Sequence, residues 1–402
     1  MRTALLLCLA LPLAACGPTL AQRETAARPA IEALRAARFD DARTKAGEVL
    51  KADAANPYAS LVDAVARYRN VMHDLMTDLP SILIGAVVGR GFNDRYLRFA
   101  LENAEKELRV VDASLERAAR FPELTFELCL ACWEVDWNRN GRVDKRDRAF
   151  LEIELDASGK ELPEGDPRRR PTFKFDHGDV LWARAFVSFQ RAALDVVLAY
   201  GYADLDRVIP EIMRHKKGAL RLKLEHPERM KEARALVLRG LDFADQARVA
   251  YLAETDDDRE WLPSPRQESH PLPLPVDEAL YQTWKDVVGD LRRIVSREEG
   301  LSVAELAQLG HHKWPQPPSG YLDLGGMLER PKDIVIDLGQ LAERDRENVG
   351  MTEAALKDVF GDYYRGDMKA SPLVGRLQRM KAEVDRGHES FERKMRYLFW
   401  LN

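Results

Sequence analysis

Apolar residues recur every three to four positions along nearly all of this 402-residue chain, and strict two-residue alternation is scarce. That spacing gathers side chains into a stripe on an α-helix, so the chain must bury many helical stripes against one another. The predicted fold class is mostly α: an array of helical hairpins, followed by a second, smaller helical region.

The clearest stretch is AIEALRAARFDDARTKAGEVLKADAANPYASLVDAVARY, residues 30–68. Ile31 and Leu34 mark one apolar face; after a turn near Arg38, Phe39, Ala42, Ala46, Val49 and Leu50 mark another. The small side chains of Ala42 and Ala46 allow close helix approach, and Asn56-Pro57 opens a third helix. Residues 95–121 predict a long amphipathic helix. Residues 178–200 predict a core helix with Trp182, Phe186, Phe189, Ala193 and Val197 on its apolar face, and 226–254 a further helix with Pro227 in its first turn. Ile82 to Val88 reads as a buried turn between helices; its glycines lack the Lys-Ser or Lys-Thr of a phosphate loop.

Five prolines between Pro263 and Pro275 are incompatible with a helix. Residues 256–276 therefore predict an extended connector between a helical region, 29–255, and a C-terminal helical region, 277–402. Within the latter, the β-branched run Ile334, Val335, Ile336 predicts a short hairpin in 320–339, and the apolar end Tyr397–Leu401 should tuck back into the core.

The chain begins MRTALLLCLALPLAACG: one cation at Arg2, then an apolar run from Ala4 to Leu13. This is the pattern of an export signal, residues 1–15, and it is far shorter than the roughly 20 residues of a membrane-spanning helix. Leu13, Ala14, Ala15 and Cys16 resemble the lipobox of bacterial lipoproteins. The resemblance implies that Cys16 becomes the lipid-bearing N-terminus, that Gly17, in place of a retaining Asp, directs the protein to the outer membrane, and that 16–28 is a tether. A net charge of −5 argues against nucleic acid as a partner, because phosphate binding needs a concentrated cationic face.

Phe39, Ala42, Ala46 and Leu50 fall at the spacing of helix-B residues in a tetratricopeptide repeat, and residues 30–68 resemble one unit of that family. The resemblance departs at Ala54, where the family closes with proline, and no second copy has comparable spacing.

In DWNRNGRVDKRD, residues 136–147, the side chains of Asp136, Asn138, Asn140, Asp144 and Asp147 stand where a calcium loop places oxygens, with Arg142 offering its carbonyl and Gly141 at the sharp turn. The twelve residues resemble an EF-hand loop of the dockerin type, which implies Ca²⁺ as cofactor. PELTFELCLACWEV reads as the entering helix and DRAFLEIEL as the leaving one. The short Asp147 and the cations Arg139, Arg142, Lys145 and Arg146 predict modest affinity, with Kd about 10⁻⁵ to 10⁻³ M, and hence a structural clip. ELDASGKELPEGD, 154–166, lacks the full ligand set and predicts a tight hairpin turn.

Cys129 and Cys132 form the only CxxC; in an exported protein they are either a local disulfide or small buried thiols. His177, between Asp176 and Asp179, belongs either to an acid-base cluster or to a helix start capped by Asp176. His311-His312 reads as a surface pair, and no HExxH or nucleophile elbow occurs. The expectation is an outer-membrane, periplasm-facing scaffold, held to the membrane through its lipid, that binds an unidentified envelope protein. The alternative is an envelope hydrolase or redox enzyme with dispersed catalytic residues. A scaffold should show an open groove, an enzyme a closed pocket with convergent titratable groups.

Overall fold

The computed structural model describes residues 17–87, 93–137, 139–149, 151–156, 158–202, 205, 219–255, 257, 259–267, 276–309, 318–337 and 353–384. The expected signal segment with Cys16, His311-His312 and Tyr397–Leu401 lie outside them. The described chain is mostly helical.

Helix α1 (Leu20–Arg35) begins well before the expected end of the tether. A reciprocal cap between Thr19 and Gln22 satisfies its first N–H groups, and Ala27, Ala30, Ile31, Ala33 and Leu34 bury one face, so Pro29 is accommodated inside the helix. Helices α2 (Phe39–Ala52) and α3 (Pro57–Val87) follow after short turns. Asn56 holds the second turn: its Oδ1 accepts from Ala59 N at 3.0 Å and its Nδ2 donates to Arg23 O at 2.9 Å. Residues 82–87 continue α3, so the predicted turn there is helix. Helix α4 (Asp94–Ala118) packs along α3.

Between α4 and the next long helix the chain forms strand β1 (Phe126–Leu128), a 3₁₀ turn Leu130–Cys132, the 136–147 loop, a single helical turn α5 (Lys145–Arg148), and strand β2 (Phe173–Phe175). β1 and β2 are antiparallel, Phe126 facing Phe175 and Leu128 facing Phe173. The turn expected in 154–166 is present, with Leu155 bridging Glu161.

Helix α6 (His177–Leu198) packs on α4 and on α7 (Pro227–Ala253). Its buried face differs from the predicted one. Ala193 and Val197 are exposed, and Trp182, Phe186 and Phe189 only half-buried, while Ser188, Arg191 and Asp195 are buried. The reason lies on α4: Arg191 reaches Glu105 at 3.2 Å and Asp112 at 3.3 Å, and this pairing draws a charged stripe inward.

The proline-rich stretch is packed where it is described. Trp261 is 0% exposed, Leu262 and Ser264 are buried, Lys174 N donates to Arg259 O, and Tyr281 Oη donates to Pro263 O at 2.8 Å. Tyr281 belongs to α8 (Glu278–Val295), so the segment joins the flanking helices rather than holding them apart.

Beyond α8 lie β4 (Glu299–Ser302), α9 (Val303–Leu309), β5 (Tyr321–Leu322), α10 (Leu324–Glu329), β6 (Ile334–Asp337), α11 (Glu353–Phe360), β7 (Tyr364–Arg365), β8 (Lys369–Ala370) and α12 (Leu373–Val384). The hairpin predicted in 320–339 does not form. β5 pairs with β4 and β7, and β6 crosses to β3 (Ala219–Leu222), because α10 occupies the space a turn would need.

Candidate functional site

The 136–147 loop is built largely by its own side chains. Asp136 Oδ1 accepts from Asn140 N at 3.1 Å and Oδ2 from Gly141 N at 2.7 Å. Asn140 Oδ1 accepts from Arg142 N at 3.0 Å, and Asn140 Nδ2 donates to Asp144 Oδ2 at 3.3 Å. Gly141 takes φ +87°, a conformation open to glycine at little cost. Asp144 caps α5, and Asp147, 2% exposed, accepts from Trp137 N and Asp144 N, each at 2.9 Å. Asp136, Asn140, Asp144 and Asp147 thus share one turn, with Arg142 at its rim; Asn138 lies outside the described residues. Every side chain in this set offers oxygen, which suits a hard cation.

The loop's entrance is not a helix. From Leu124 to Trp137 burial alternates: Leu124, Phe126, Leu128, Leu130, Trp133, Val135 and Trp137 are in, while Thr125, Glu127, Cys132 and Glu134 are out. That is the period of extended chain. Trp133 packs edge-on to Phe39, with ring centroids 5.0 Å apart, and donates its indole N–H to Leu34 O. Trp137 sits against His73 of α3. His73 Nε2 donates to Asp136 O at 3.1 Å, which leaves Nδ1 to accept from Arg139. Arg139 also pairs with Asp74 at 3.0 Å, so one of the four loop cations is drawn away from the carboxylates. The exit is α5 alone, four residues long, in place of a full leaving helix.

Cys129 and Cys132 are joined as a disulfide spanning the 3₁₀ turn. They bracket that 3₁₀ turn within an otherwise extended segment and not an α-helix, with Cys132 exposed.

A second group of oxygens gathers where the sequence gives little signal. Asp176 caps α6, its Oδ1 accepting from Gly178 N at 2.7 Å and from Asp179 N at 3.3 Å, so capping is one role of the FDHGD stretch. Glu254, at the C-terminal end of α7, and Glu260, in the packed proline-rich stretch, bring carboxylate oxygens to within 4.8 Å of Asp176 and of each other. Glu260 is 3% exposed. Behind them Asp179 accepts from Tyr251 Oη at 2.7 Å. Burial pushes the Glu254 carboxyl up to about 11, reinforced by Asp176, Glu260 and Asp179. Burial likewise raises Asp179 well above the carboxylate range and Tyr251 well above the phenol range. Burial lowers His177, against the pull of Asp176 and Glu123. Asp176 is visible in the sequence as a cap; Glu254 and Glu260 are distant from it along the chain and carry no motif.

Asp179 also touches an apolar cavity between α3, α4, β1, β2 and α6, lined by Leu61, Val65, Val111, Phe126 and Val187. On the outer side of α3 and α4, Phe99 is 66% exposed and Tyr96 41%, in a groove shared with Arg43, Arg67, Asp74 and Glu107. No helix among the described residues is long and apolar enough to cross a membrane. Comparison with known proteins finds no matching family model, no matching curated protein and no matching solved structure.

Proposed function

We propose that the protein is a helical scaffold of the bacterial envelope, anchored in the outer membrane through lipidated Cys16, that binds another envelope protein. Helices α1 to α4 serve as a tetratricopeptide-like stack in this reading, and the 136–147 loop holds Ca²⁺ as a structural clip. The observation that carries the scaffold reading is the groove with Phe99 and Tyr96. Two aromatic rings that are partly exposed in one groove offer apolar surface for a partner to cover, and mixed charges at the rim suit a protein surface better than a lipid one. The clip is supported by the all-oxygen turn from Asp136 to Asp147 and by its docking through Trp137 and His73, which ties α3 to α5.

A photo-crosslinking side chain placed at Phe99 in intact cells should give a discrete adduct that disappears when Tyr96→Glu is added, while the same group at exposed Val249 gives none. Equal labelling at both positions would refute the groove. For the clip, millimolar Ca²⁺ should raise the unfolding midpoint of the delipidated protein over that in chelator. In Asp136→Ala the part of that rise due to this loop should vanish, and an unchanged rise would refute the reading.

A further inference from the structure

We propose that the Cys129–Cys132 disulfide is a thiol–disulfide exchange site that accepts two electrons from the dithiol of a partner protein, an activity independent of the groove and of the 136–147 loop. The pair stands where strand β1 ends. Cys129 follows Leu128 directly and is half-buried, while Cys132 closes the 3₁₀ turn and is exposed. Beside them lies a recess of about 270 Å³, lined by Arg35, Glu127, Leu128, Cys129, Cys132 and Thr172. A disulfide sealed in a core cannot be reached by a second thiol, and exchange depends on access to one of the two sulfurs. Here the exposed sulfur and the recess provide that access.

The fold does not depend on the bond. The two cysteines are three positions apart, and the turn between them is already closed by Cys132 N donating to Cys129 O at 3.2 Å and Trp133 N to Leu130 O at 3.1 Å. Buried Leu128, Leu130 and Ala131 anchor the segment, as does Trp133, whose indole N–H donates to Leu34 O at 3.0 Å. A cross-link over so short a loop removes little chain entropy. After reduction the same turn therefore keeps both thiols side by side. Cys129 Sγ also lies 3.5 Å from Arg170 O, so as a thiol it has a carbonyl to which its S–H can donate.

Arg35 supplies the charge that exchange needs. Its Nε and Nη2 donate to Glu127 O at 3.2 and 2.9 Å, the Glu127 carboxylate is taken by Arg259, and no carboxylate among the described residues pairs with Arg35. An unneutralised guanidinium beside the sulfurs favours thiolate, whether arriving or leaving. The partner's thiolate attacks Cys132 Sγ, the S–S bond breaks, and Cys129 leaves as a thiolate that takes a proton from water. The partner's second thiolate then attacks the partner's own sulfur in the mixed disulfide, and Cys132 leaves as a thiolate and is protonated in turn. The partner ends as a disulfide and the pair as a dithiol, with two electrons passed directly and two protons by way of water.

The experiment mixes the full mature chain, oxidised and in native buffer, with reduced thioredoxin as the dithiol probe. Acid quenching, maleimide labelling and mass spectrometry should show both cysteines of the pair labelled and the probe's dithiol lost, with the circular dichroism of the chain unchanged. With oxidised glutathione in excess, a catalytic amount of the chain should speed the conversion of reduced thioredoxin to its disulfide, and Cys132→Ser should not. The free thiol of Cys129→Ser should react with dithiobis(nitrobenzoate) at least about tenfold faster than that of Cys132→Ser, because only Cys132 is exposed. In the Cys129→Ser background, Arg35→Gln should slow that reaction about threefold or more, and Arg35→Lys should recover most of the loss. A pair that thioredoxin reduces only once urea has unfolded the chain, absence of turnover, or two thiols of equal reactivity would overturn the proposal. An Arg35→Gln rate equal to the parent's would overturn the part given to the guanidinium.

Discussion

Replacing Trp261 tests whether the proline-rich stretch is part of the core. Its side chain is 0% exposed and faces Phe175 of β2, with ring centroids 6.4 Å apart. A buried Trp removes up to about 250 Å² from water, worth roughly 6 kcal/mol at about 25 cal/mol per Å². Against this, its Nε1–H is buried with no acceptor among the described residues, and deleting that donor returns about 1–3 kcal/mol. Trp261→Ala should therefore cost about 3–5 kcal/mol, the range usual for truncating a large aromatic. Trp261→Phe keeps most of the area and removes the orphan donor, so it should cost less than about 1.5 kcal/mol. Urea unfolding followed by far-ultraviolet circular dichroism gives both values. Limited proteolysis gives an independent reading: the native chain should resist cleavage at 259–267, and Trp261→Ala should be cut there. A loss below about 1 kcal/mol for the Ala variant, or cleavage of the native protein within 259–267, would refute the packed arrangement.

Two glycines should respond with opposite signs, although neither has a neighbour that an added methyl would strike. Gly141→Ala, at φ +87°, should destabilise by about 1–2 kcal/mol, and Gly47→Ala, inside α2, should stabilise by about 0.5–1 kcal/mol, both measured by urea midpoint. Arg191→Met leaves Glu105 and Asp112 buried with one partner fewer each and should cost about 3 kcal/mol; a neutral result would show that Arg109, Arg184 and Arg239 suffice for both carboxylates. Replacing Cys129 and Cys132 together by Ser opens a very short covalent loop and should lower stability by no more than about 2 kcal/mol, read as the difference between oxidised wild type and the variant.

Local sequence determined the long helices, because each carries its own stripe, cap and stop. Asn56 before Pro57, His226 before Pro227 and Asp176 before the apolar run of α6 are signals complete within a few residues, and the structure starts helices at all three. The 136–147 turn is equally local: Asp136, Asn140, Asp144 and Asp147 bond mainly within the loop, so spacing alone reveals them. Tertiary structure decided the rest. Leu124 to Trp137 contains enough apolar residues to suit a helix or a strand, and docking of Trp133 and Trp137 on α2 and α3 selects the extended form. Trp261 turns a proline-rich stretch inward only because β2 and α8 leave room for its ring, and β6 pairs with β3, more than a hundred residues away along the chain, and not with a hairpin neighbour. Glu254 and Glu260 look like ordinary surface charges in the sequence. Their meeting with Asp176 depends on how the end of α7 passes the start of α6, and no short-range pattern encodes the crossing of two helices.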